Sequence, residues 1–181
     1  MKISAYTLSV ETFASKLGSL SALLDKGAEH AKAAAFDPAT LVNARLAPDM
    51  YPLATQVSLA CRNAEDGAAK LIGGSRRPPP LVDDEKTFDG LKARIEEALA
   101  YLRSLDAAAF EGAEDRRVEI PIPNDGRKFV MTGGEFLRDW ALPHFYFHVV
   151  TAYAILRHNG VELGKRDYMK DVGRYIRPLS G

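Results

Sequence analysis

Apolar residues recur at helical spacing in four long stretches. In the first, Val10, Phe13, Leu17, Leu20 and Leu24 follow steps of three and four, one stripe of a helix from about Ser4 to Ala34. Gly18 and Gly27 lie inside it, and each weakens an exposed helix by roughly 1 kcal/mol against alanine. Residues 36–49, FDPATLVNARLAPD, read as a loop with proline near both ends. Asp49 is expected to cap the next helix, with Pro52 in its first turn. Met50, Leu53, Val57, Ala60, Ala64 and Leu71 form the second stripe. GGSRRPPP (73–80) ends it, and its prolines suggest a stiff extended crossover. Phe88, Leu91, Ile95, Ala98, Leu102 and Leu105 keep heptad spacing in the third helix, which Thr87 is placed to cap.

The period then changes. Val118, Ile120 and Ile122 alternate with polar residues, NDG (124–126) turns the chain, and Phe129 and Met131 continue. That predicts a short β-hairpin, restricted in its hydrogen bonding by Pro121 and Pro123. TGGE (132–135) has the form of a capping box, Thr132 with Glu135 three later. A fourth helix follows as far as Gly160, and Pro143 inside it should kink it. The tail is expected to hold one short helix near residues 165 to 175. Four apolar-striped helices of this length predict an all-α four-helix bundle, and the long second connection leaves room for a crossover topology. Residues 1–181 read as a single domain, with no internal repeat.

Composition removes some functions. With 24 basic and 24 acidic residues the net charge is zero, which disfavours a general nucleic-acid binder. Arg76 and Arg77 are the only compact basic cluster read as a contrary sign. One cysteine, Cys61, forbids an intramolecular disulfide, and a reducing cytoplasm is the expected compartment. No membrane-spanning stretch and no signal peptide is expected. Cys61 itself reads as a small buried hydrophobe. GKRDY (164–168) reads as a solvated charge run, with an anion site as the alternative.

The fourth helix carries the candidate chemistry. His144, His148, Thr151, Ile155 and His158 share one face, and Phe147, Val150 and Ala154 beside it suggest that this face borders the bundle interior. Two histidines four apart can reach one metal ion from the same side of a helix. Phe-Tyr-Phe between them supplies no carboxylate base. A third ligand must come from elsewhere, and Gln56 on the second helix is the nearest candidate, with Asp49 and Asn63 as alternatives. The other reading is a pair of core histidines bonded to neighbours such as Tyr146 and Tyr153. His30 sits near a bundle end, and His158 suits the negative end of its helix dipole. Trp140, Phe136 and Phe145 to Phe147 read as core or dimer interface.

RLAPDMYPLATQV (45–57), FEGAEDRRV (110–118) and ALPHFYFHVVTAYAILRHNGVELGKRDY (141–168) resemble recurrent blocks of an uncharacterised bacterial branch of the DinB-like (YfiT-like) superfamily. The resemblance spans nearly the whole chain. It implies an up-down-down-up four-helix bundle, often a homodimer, with a short hairpin before the last helix. It implies a divalent metal, zinc or nickel, held by one histidine of the second helix and the HxxxH pair of the fourth. His144 and His148 match that pair, and Gln56 stands where the third histidine falls, a weaker ligand for such metals. Two functions follow. One is a metal-dependent enzyme, a transferase acting on a thiol substrate or a hydrolase. The other is a non-catalytic, small-molecule-binding or stress-related dimer that has lost the full metal site.

Overall fold

The computed structural model describes residues 3–76 and 87–179. The bulk of Arg77 and the prolines of the GGSRRPPP segment therefore lies outside the described residues. Helix α1 (Thr12–Ala33) is entered through a π-helical turn, Thr7–Glu11. A short helix α2 (Ala39–Val42) interrupts what the sequence reads as loop. The long helices α3 (Leu53–Leu71) and α4 (Phe88–Arg103) follow. Strands β1 (Arg117–Pro121) and β2 (Lys128–Thr132) pair antiparallel, with Val118 opposite Met131. Asn124 and Gly126 take positive φ in the turn, as the NDG sequence predicts. The last long helix runs through α5 (Gly133–Phe136), a π-helical turn (Leu137–Ala141) and α6 (Leu142–His158). Helix α7 (Lys165–Tyr168) and a 3₁₀ segment (Lys170–Tyr175) close the chain.

Side-chain pairs fix the helix directions. Phe13 meets Phe145, and Gly27 lies against Leu156, so α1 and α6 run parallel. Asp25 binds Lys92 while Gly27 lies against Phe88, so α4 runs against α1. Glu65 pairs with Arg94 and Arg76 stacks on Tyr101, so α3 and α4 run together. The bundle is therefore up-down-down-up, with α3 and α6 sharing the largest helix contact. Phe13, Leu17, Leu20, Leu24, Val57, Leu91, Ile95 and Phe145 fill its core. Gly27 is where Phe88 reaches α1: a Cβ there would stand 2.9 Å from the phenyl ring. The helix weakness expected of that glycine is thus exchanged for close packing of α4. Among the described residues no helix is long and apolar enough to cross a membrane.

Two local expectations are corrected. Asp49 does not cap the second helix. Pro52 is its N-cap residue, extended at ψ 167°, and no side chain caps it. The free N–H of Leu53 instead donates to the carbonyl of Ala44 at 2.9 Å, which also leaves Met50 in the loop rather than on the stripe. Helical structure continues across Pro143. The widened turn before it lets Leu142 donate five residues back to Leu137, and the helix continues through the proline, which has no N–H to give. Thr87 and the Thr132–Glu135 capping box form as the sequence predicts.

Candidate functional site

α6 buries Phe145, Val149, Ala152, Ile155 and Leu156. The histidine face lies at the edge of this core face, not within it. His144 is exposed and His148 half-buried, while Phe147 and Val150 are 58% and 47% exposed. The face therefore borders the interior, with Thr151 and Ile155 buried, but Phe147 and Val150 do not mark its buried side. A helix with apolar residues on several sides does not reveal in its sequence which side is buried.

Gln56, in the first turn of α3, is buried and faces His148. A chain of hydrogen bonds fixes both groups. The carbonyl of Tyr51 accepts from Gln56 Nε2 at 3.1 Å. A carbonyl can only accept, so this contact sets which end of the amide points where. Gln56 Oε1 is thereby turned to His148 Nδ1, at 2.7 Å. An amide oxygen also only accepts, so Nδ1 must carry the proton, and Nε2 keeps its lone pair. His144 is set the same way, its Nδ1 donating to the carbonyl of Trp140 at 2.8 Å. The indole of Trp140 also packs on the His144 ring, with centroids 4.6 Å apart. The partners of the histidines are therefore Gln56 and Trp140, not Tyr146 and Tyr153.

Both imidazoles are thus held in one tautomer, with Nε2 as the free nitrogen. This is how proteins orient imidazole toward a metal: the far N–H is tied to an oxygen and the near nitrogen is left unprotonated. Burial, and then the neighbouring His144, lower the pKa of His148 to about 4. Gln56 carries no negative charge to offset this. At neutral pH His148 is an unprotonated donor atom. Its pKa lies too far below neutrality for an efficient general base, whereas a metal ligand has to be unprotonated.

Gln56 meets His148, but both ends of its amide are engaged with protein. Asn63 lines a narrow cleft with Asp66, Trp140 and His144, with room for about one water. Asp49 stays in the exposed loop before α3. Among the described residues no group of three or more histidine, cysteine or acidic side chains is placed to hold a metal. His30 packs edge-on to Phe36 near Gly160, the bundle-end position expected of it. Sequence reasoning missed Tyr51 and Trp140, because both act through backbone carbonyls that any residue type supplies.

The low pKa of His148 makes stability depend on pH. An unfolded histidine titrates near 6.5 and this one near 4 in the fold. Between those values the unfolded chain binds more protons, so metal-free protein loses stability as pH falls from 6.5 toward 4. The expected loss near pH 5 is about 1–2 kcal/mol after allowance for partial solvent screening. Denaturant melts at pH 7 and pH 5 on wild type and His148→Asn measure it. An equal pH dependence in the two proteins would show that His148 is not its source.

Comparison with known proteins gives consistent results. The model of the DUF1993 family, a domain of unknown function, matches residues 5–169. The crystal structure of a DinB family member protein from Shewanella denitrificans is similar at 37% identity. It has a TM-score of 0.81, and the match covers 97% of this chain and 94% of that chain. No curated protein matches.

Proposed function

We propose, for a chain that belongs to the DUF1993 family of DinB-like proteins, that His144 and His148 hold a divalent metal through Nε2. Gln56 then acts as a positioning residue rather than a third ligand. The observation that carries the reading is the pair of Nδ1–H···O=C contacts, which leaves two lone pairs one helical turn apart. Imidazole nitrogen suits zinc or nickel, the ions proposed here. Two ligands fall short of the usual three protein ligands of a catalytic zinc site. The set therefore fits a weakly held ion with several positions open to water or substrate. Such an ion supplies Lewis-acid activation of a thiol or a water. The protein's own part is to fix the two rings, keep His148 unprotonated and exclude solvent from the Gln56 side. In this reading the chain is a metal-dependent enzyme of transferase or hydrolase type acting on a small molecule.

One observation favours the second reading, a small-molecule-binding bundle without catalysis: Gln56 already satisfies both ends of its amide inside the protein. Calorimetric titration with zinc and nickel separates the two. Wild type is expected to bind one ion, His144→Ala and His148→Ala to lose it, and Gln56→Ala to weaken it by about 10–100-fold. Absence of any histidine-dependent binding would leave the non-catalytic reading standing. Unchanged affinity in Gln56→Ala would remove the positioning role.

A further inference from the structure

The C-terminal segment, residues 165–177, has five basic residues against two acidic ones in a chain whose net charge is zero. Both acids are engaged by neighbouring groups. Asp167 is bound by Lys26 at 2.7 Å and by the N–H of Gly164, and Asp171 accepts from Ser15 Oγ at 2.6 Å. Lys16 donates to the carbonyl of Tyr168, and Lys170 to that of Gly18. These contacts dock the segment on α1. Their side effect is to separate its charges: the carboxylates are engaged, while Lys165 and Arg166 are exposed and Arg174, also exposed, lies over the ring of Tyr175, 4.8 Å from its centroid. Among the described residues no carboxylate pairs with those three.

The same segment and the residues just after it carry unusual apolar exposure. Val172, Tyr175, Ile176 and Leu179 are 48%, 63%, 77% and 99% exposed. Lys165, Arg166, Met169, Lys170, Val172 and Ile176 line a groove of about 640 Å³. A second copy of the chain fits poorly, since a symmetric contact would set like charges together. A nucleic acid would satisfy the cations but leave the aliphatic side chains in contact with charged backbone. A surface with anionic headgroups above acyl chains satisfies both halves, cations at the phosphates and Ile176 and Leu179 in the acyl boundary.

We propose that this face docks the protein reversibly on an anionic lipid surface, as a peripheral contact distinct from the histidine site. The test is co-sedimentation of the full-length protein with phosphatidylcholine vesicles, with and without phosphatidylglycerol. Wild type should partition onto the anionic vesicles, leave neutral ones unbound and be released by raised salt. Lys165→Glu/Arg166→Glu/Arg174→Glu should lower that partition roughly a hundred-fold, at about five-fold per neutralised cation before any reversal effect. Ile176→Ser/Leu179→Ser should weaken it at unchanged charge. All five positions lie outside the contacts that dock the segment, and thermal melts check that the variants stay folded. Equal partition onto neutral and anionic vesicles would overturn the proposal. So would full binding by the charge-reversed variant, or retention by duplex DNA that the vesicles do not compete away.

Discussion

Replacing Glu65 by leucine should cost about 3–5 kcal/mol of stability, among the largest effects available to one substitution in this protein. Glu65 is fully buried on the α4-facing side of α3, and Arg94 on α4 is only 6% exposed. One carboxylate oxygen accepts from Arg94 Nη2, while the other faces Arg76 Nε at 3.3 Å. Arg76 in turn lies over the ring of Tyr101, 4.0 Å from its centroid. A single carboxylate thus ties α3, α4 and the start of their crossover. Leucine would leave Arg94 inside the bundle without its buried carboxylate partner, and Glu97, at 3.6 Å and half exposed, is a weaker substitute. A buried pair contributes little net stability, but a buried charge without its partner is costly. Glu65→Leu/Arg94→Met should therefore recover most of the loss. Urea denaturation of both proteins reads the difference. A double variant no more stable than the single one would refute this explanation.

Gly133→Ala is the second severe change. A Cβ at Gly133 would stand 1.8 Å from the carbonyl oxygen of Ala113, a backbone atom no rotamer can move away. The adjacent Gly134 donates to the carbonyl of Glu114 at 2.8 Å and so pins that same loop. The chain must shift, at a cost of about 3 kcal/mol or more. Gly134→Ala is the control, since its Cβ would meet nothing closer than 3.5 Å and should cost well under half as much. Gly133 also opens the helix that carries Trp140 and His144. Any Gly133→Ala protein that still folds should bind zinc more weakly than wild type. Similar melting midpoints for the two alanine variants would contradict the steric argument.

Much of the fold was legible because it rests on periodicity. Leu17, Leu20, Leu91 and Ile95 are buried where their spacing places them. Thr87, Thr132 and Glu135 form the caps their residue types favour, and Asn124 turns the hairpin. Features set by tertiary structure were not legible. The π-helical turn before Pro143 has no residue signature, and the first N–H of α3 is satisfied by a carbonyl from a distant loop rather than by Asp49. The charged residues Glu65 and Arg94 lie beside two unbroken apolar stripes, so their spacing does not mark them as buried, and pairing them needs the α3–α4 contact. At the candidate site, spacing alone placed His144 and His148 on one helix face. It could not show that Gln56 reaches His148 through Nδ1, because that depends on a hydrogen bond to Tyr51 closing the other end of the amide.

The proposed site requires both imidazoles to carry their proton on Nδ1 and offer Nε2. Nitrogen-15 imidazole spectroscopy on labelled protein, with His144→Ala and His148→Ala for assignment, reads this directly. Nδ1–H tautomers are expected for His144 and His148 in metal-free protein at neutral pH, with movement of both Nε2 resonances on addition of zinc. An Nε2–H tautomer at His148, or zinc that leaves both Nε2 signals in place, would contradict the proposed site.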